Sequence, residues 1–155
     1  QAIARPRDIA IRQEVMFGSL SAGLAFSNAS LGAVHAMAHS IGGRFDLSHG
    51  ESNSLLIDHV IRFNWSQAGD KSRTLAPFFG LPLEGASSHE TCEAIVDAMT
   101  RFKNRIRIKR TVKDCCIRKE DIPALSRMAV YDRCMATNPV APTISDIETL
   151  YAQAF

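Results

Sequence analysis

The chain has 155 residues, 46% of them hydrophobic and 22% charged, with a net charge of +2. That length suits one domain spanning residues 1–155 with a sizeable core, and so small a charge excess argues against nucleic-acid and membrane-surface partners. Four cysteines, at 92, 115, 116 and 134, form no CxxC pair and read as reduced thiols of a cytoplasmic protein.

Asp8 is placed to cap a first long helix, in which Ile11, Val15, Leu20, Leu24 and Ala25 recur near helical spacing. "SNASLG" (27–32) ends or kinks it, and a second helix follows over about 31–41. Gly42 and Gly43 then read as a stop signal, with "RFDLSHG" (44–50) as a loop. From Val15 to Gly43 there is no Asp, Glu, Lys or Arg. Such a length could span a bilayer, but its Gly, Ser, Asn and His content points to a helix buried on all sides.

A third helix is expected over about 50–64, with Leu55, Leu56, Val60 and Ile61 as its buried stripe. "GDKSRTLAPFFGLP" (69–82) reads as a short helix and a turn. Ser87 with Glu90 three residues on is a capping box, opening a helix to about residue 104. "RIRIKRTV" (105–112) has no helical stripe and reads as extended. A helix over about 120–132 accommodates Pro123 in its first turn, "NPVAP" (138–142) is a rigid linker, and Thr143 with Asp146 caps a last helix. The sum is an all-α bundle with almost no strand. The basic stretch from Arg101 to Lys113 has one aromatic, Phe102, and is followed by Asp114, Glu120 and Asp121, so it reads as a solvated face rather than a nucleic-acid surface.

Three of the five histidines fall between Gly32 and Gly50, at 35, 39 and 49. His35 and His39 are four apart and share one helix face. The loop after the glycines can return His49 to their side. Neutral imidazoles suit divalent iron, zinc, nickel and copper, while core or surface histidines bonded to carbonyls are the plainer alternative. HExxH fails, because Ala36 follows His35. A metal site needs four ligands, or three and an open position, so the chain supplies half of one. His59 and His89 read as structural.

"GLAFSNASLGAVHAMAHSIGGRFDLSHGESN" (23–53) resembles the histidine-rich signature of the iron-dependent, group III alcohol dehydrogenases, AGxAFxNxxLGxxHAxAHxxGxxxxxxHGxxNA. "CMATNPVAPTISDIETLYAQAF" (134–155) resembles the closing segment of the same family. The resemblance implies the family's C-terminal helical domain, of the dehydroquinate synthase-like kind, without the nucleotide-binding domain. It implies that His35 and His49 bind the catalytic metal, Fe²⁺ with Zn²⁺ or another divalent ion as substitutes. His39 would lie near the nicotinamide and relay the alcohol proton, and Cys134 would stand near the substrate pocket, though a plain buried thiol accounts for it as well. The departures, Ser48 before the His-Gly pair, Ser54 after Asn53, and Ile57 with Asp58, remove no ligand.

The family's upstream DxxxH helix, which carries two further ligands, and its GGGS phosphate loop have no counterpart in this sequence. The chain is therefore expected to be a piece of a longer two-domain enzyme and inactive alone. The enzyme is expected to be a homodimer that passes hydride between a small alcohol or aldehyde and NAD or NADP. The competing expectations are a helical association module without catalysis and a metalloprotein whose site is completed by dimerisation.

Overall fold

The computed structural model describes residues 1–108 and 111–155. Among them are six α-helices and no strand: α1 (Ile9–Ala29), α2 (Ala33–Phe45), α3 (His49–Arg73), α4 (Ser88–Arg105), α5 (Ile122–Val130) and α6 (Ile144–Gln153), with short 3₁₀ turns between them. The all-α expectation holds. The chain divides into two compact units, residues 1–31 and 32–155.

The first unit is α1 and the turns before it. Asp8 caps it as expected, its Oδ1 accepting from the Ile11 N–H at 3.2 Å. Ser30 ends it at φ 61°, with its N–H donating to the Phe26 carbonyl at 2.8 Å. No residue of α1 is buried, and Val15, Met16, Phe17, Leu20, Leu24 and Phe26 are exposed. The expectation of a helix buried on all sides is corrected here. Covering an all-round apolar helix takes neighbours on every side, and this unit contains no other helix. No helix among the described residues is long and apolar enough to cross a membrane.

In the second unit α2 packs against α3 and α5, α3 against α4 and α6, and α5 against α6. Met37 and Ile41 of α2 meet Leu56 and Val60 of α3, Leu125 and Ala129 of α5, and Ile147 and Tyr151 of α6 in one core. Burying each of the larger of these side chains stabilises the fold by about 1.5–3 kcal/mol. Both expected capping boxes form. The Ser87 N–H donates to Glu90 Oε2 at 2.8 Å, and the Thr143 N–H donates to Asp146 Oδ2 at 2.8 Å. Pro123 sits in the first turn of α5.

Three expectations need correction. α2 runs through Gly42 and Gly43 to Phe45, and Asp46 takes the left-handed conformation at φ 54°. Gly42 serves a close approach instead, since a Cβ there would lie 3.3 Å from the Leu47 carbonyl oxygen. α3 is longer than expected, continuing through Gly69 to Arg73. The Trp65 indole lies where a Cβ on Gly69 would stand, with its Nε1 3.0 Å away, and Lys71 and Arg73 suit the negative end of the helix dipole. The expected extended run over 105–112 begins as the end of α4 and a turn, with Arg107 at φ 68°. Lys109 and Arg110 of that run lie outside the described residues.

Candidate metal centre

The convergence of the three histidines starts from local geometry. His35 and His39 stand one turn apart on α2. Residues 46–48 reverse the chain, and His49 is the first residue of α3. The ring centroids are 5.2 Å apart for His35 and His49, 5.5 Å for His39 and His49, and 6.1 Å for His35 and His39.

Two imidazoles bound to one ion at about 2.1 Å per bond place their centroids about 5 Å apart. The His35 and His49 centroids lie near that spacing. Burial, then the neighbouring His49 and His39, push the His35 pKa below its ordinary value, against a smaller pull from Asp132. His35 is therefore held as the neutral ring a metal requires. Neither of its ring nitrogens has a hydrogen-bond partner among the described residues. The two imidazoles are of a type that suits a divalent metal, and their centroid spacing is compatible with one.

The other two rings are held from outside. The Asn53 amide, one turn along α3, donates to the His49 carbonyl at 2.8 Å and lies 3.2 Å from His49 Nε2. His39 Nδ1 lies 2.9 Å from Asp132 Oδ2. Asp132 opens the 3₁₀ turn Arg133–Thr137, and its Oδ1 accepts from the Cys134 N–H at 2.8 Å. Burial pushes the Asp132 carboxyl up, but its bonds from Cys134 and His39 outweigh this and hold it below the usual range.

Cys134 thus stands beside His39 and Asp132, where one ligand atom from each lies within 4.8 Å of the others. Its thiol is pushed up, first by burial and then by its bond to Asp132, so it is not a ready thiolate. All four cysteines are thiols. His59 on α3 and His89 on α4 make no ring contact with the trio among the described residues.

Sequence reasoning found the three histidines and Cys134 but missed Asp132 and Asn138. The Asn138 side chain does for α2 what Gly32 cannot, because its Oδ1 accepts from the Ala33 N–H at 2.9 Å. Asn138 also exchanges two hydrogen bonds with the Asn64 amide, at 2.8 and 3.0 Å. It ties α2, α3 and the turn before α6 together just below His35. Neither residue announces this in the sequence, since the partners lie 93 and 105 positions away.

A helical bundle presenting imidazoles from one helix and the head of the next is the class that fold and site define. The C-terminal model of the Fe-containing alcohol dehydrogenase family matches residues 1–155, and the chain belongs to that family. Lactaldehyde reductase of Escherichia coli K12 is 39% identical over 143 residues, covering 92% of this chain and 37% of its own length. The 1,3-propanediol dehydrogenase of Citrobacter freundii is 35% identical over all 155 residues, or 40% of its own length. The crystal structure of a 1,3-propanediol oxidoreductase superposes with a TM-score of 0.95 at 35% identity, covering the whole chain and 41% of that protein. An alcohol dehydrogenase from Oenococcus oeni superposes with a TM-score of 0.95 at 30% identity, over 99% of this chain and 40% of its own. The chain spans about two fifths of the length of the curated relatives it matches.

Proposed function

We propose that residues 1–155 act as the metal-binding helical domain of a cytoplasmic, homodimeric, NAD(P)-dependent alcohol dehydrogenase or aldehyde reductase. The observation that carries this is the convergence of His35 and His49, from α2 and α3, at 5.2 Å between ring centroids. These two side chains hold the metal, Fe²⁺ or in its place Zn²⁺. Its remaining ligands, and the surface that binds most of the nicotinamide, come from outside these residues, so the 155 residues alone are inactive.

A bound divalent metal supplies Lewis acidity toward an alcohol or carbonyl oxygen. The side chains of this chain do the rest. His35, neutral because it is partly buried beside two other imidazoles, offers a lone pair. His39 takes the hydroxyl proton when an alcohol gives up hydride to the nicotinamide, and returns a proton when an aldehyde is reduced. Its side chain is 39% exposed, so solvent can receive that proton.

The test is metal affinity and turnover of the full-length enzyme that would contain these residues, and of its His35→Ala, His49→Ala and His39→Ala variants. His35→Ala and His49→Ala are expected to weaken Fe²⁺ and Zn²⁺ binding by about 100-fold or more and to abolish turnover. His39→Ala is expected to keep the metal and lose about 10²–10⁴-fold in kcat. Unchanged metal affinity in His35→Ala would sink the proposal. The second reading, an association module, draws on the exposed apolar side chains of α1. Concentration-dependent dimers that bind no metal would favour it.

A further inference from the structure

The carboxylate of Asp132 touches His39 but has no part in the chemistry just described. We propose that Asp132 is the positioning residue for His39, holding the imidazole in the Nδ1–H tautomer so that Nε2 is the nitrogen that carries the proton. This rests on the relay role given to His39 above.

An ionised carboxylate can only accept hydrogen bonds, and a neutral imidazole has a single N–H. At 2.9 Å from Asp132 Oδ2, His39 Nδ1 must therefore be the donor. The lone pair is left on Nε2. Such a contact could be incidental if the carboxylate were mobile. It is not, because its other oxygen is held at 2.8 Å by the Cys134 N–H within the turn Arg133–Thr137. That turn packs against α2, the helix that carries His39. The acceptor is thus placed by backbone and packing, independently of the ring it orients. His39 is half-exposed, and without that acceptor little would choose between its two tautomers.

The proton balance is simple. A substrate hydroxyl proton arrives at Nε2 while the Nδ1–H remains bonded to Asp132. The ring is then an imidazolium beside a carboxylate that keeps its charge. Solvent takes the proton back from Nε2. In the Nε2–H tautomer the lone pair is on Nδ1 instead, and Nε2 cannot take the hydroxyl proton.

Asp132→Asn separates the two duties of the side chain. The amide oxygen can keep the bond from the Cys134 N–H, but the NH₂ that replaces Oδ2 donates to the ring and favours the Nε2–H tautomer. The full-length enzyme, loaded with diamagnetic Zn²⁺ and labelled with ¹⁵N-histidine, reports the tautomer directly from its imidazole nitrogen shifts. Wild type is expected to show a protonated Nδ1 and a bare Nε2 at His39, and Asp132→Asn the reverse. In the full-length enzyme the kcat of Asp132→Asn is expected to fall by about 100-fold or more, with KM within about threefold. A wild-type His39 found protonated at Nε2 would overturn the proposal without recourse to any variant. So would a swapped tautomer with unchanged kcat. Undiminished turnover in His39→Ala would instead remove the relay itself, an outcome read apart from the nitrogen shifts because those do not depend on turnover.

Discussion

The hydroxyl of Tyr151 donates to the main-chain carbonyl of Met37 at 2.8 Å, across 114 positions of sequence. It joins α6 to the turn of α2 between His35 and His39, and the ring is fully buried. Tyr151→Phe should cost about 1 kcal/mol, the net worth of one hydrogen bond, while Tyr151→Ala should cost about 3–5 kcal/mol through the cavity it leaves. Burial raises the phenol's pKa above its ordinary 10.0, with a weaker opposing contribution from Ser40. The unfolded chain therefore ionises first, and stability should be lost as pH rises past 10. Urea melts at neutral and alkaline pH check this, and equal alkaline loss in wild type and Tyr151→Phe would refute it.

Gly32 and Asn138 should behave as a coupled pair. A Cβ on Gly32 would meet Asn138 Oδ1 at 2.8 Å, too close for either atom to stay in place. Gly32→Ala should destabilise by about 1–3 kcal/mol through this overlap, and Asn138→Ala by about 1–3 kcal/mol by leaving the Ala33 N–H unpaired. In the double variant the overlap no longer exists, so the two costs should fall short of adding, by about 1 kcal/mol. Strict additivity in a denaturation series would mean that the close approach is not what requires glycine.

Asp58 on α3 and Lys103 on α4 form an ion pair whose side chains are only 10% and 16% exposed. Lys103 Nζ donates to Asp58 Oδ1 at 2.7 Å and to the Ser54 carbonyl at 3.1 Å. Lys103→Met strands a buried carboxylate and should cost about 3–5 kcal/mol. Adding Asp58→Leu should recover most of that, because two packed apolar chains replace a pair that was costly to desolvate. A double variant no more stable than Lys103→Met would count against the account.

His59 should set part of the acid limit. Burial lowers its pKa below 6.5, with Asp58 pulling the other way and Arg62 and Lys103 adding to the effect. The unfolded chain then binds more protons as pH falls through 6.5, so stability declines in that direction. His59→Gln should flatten the decline, and His35, shifted the same way, should keep part of it. Thermal melts between pH 5 and 8 (a window of about one and a half units around the ordinary His value) that give parallel curves for wild type and His59→Gln would exclude this.

The sequence by itself determined what rests on near neighbours. The Ser87 and Thr143 capping boxes and the pairing of His35 with His39 on one face follow from spacings of three and four residues, which a helix converts directly into contact. His49 was legible because a short loop constrains where the next helix can start. The end of α2 was misjudged because glycine ends helices and also permits close approach, and only the Leu47 carbonyl beside Gly42 distinguishes the two uses. Tertiary structure alone decided what holds the site in place: Asp132 on His39, Asn138 at the head of α2, and Tyr151 beneath it. Each of these is a single polar bond between positions about a hundred residues apart, and one such bond leaves no periodic trace for a sequence to display.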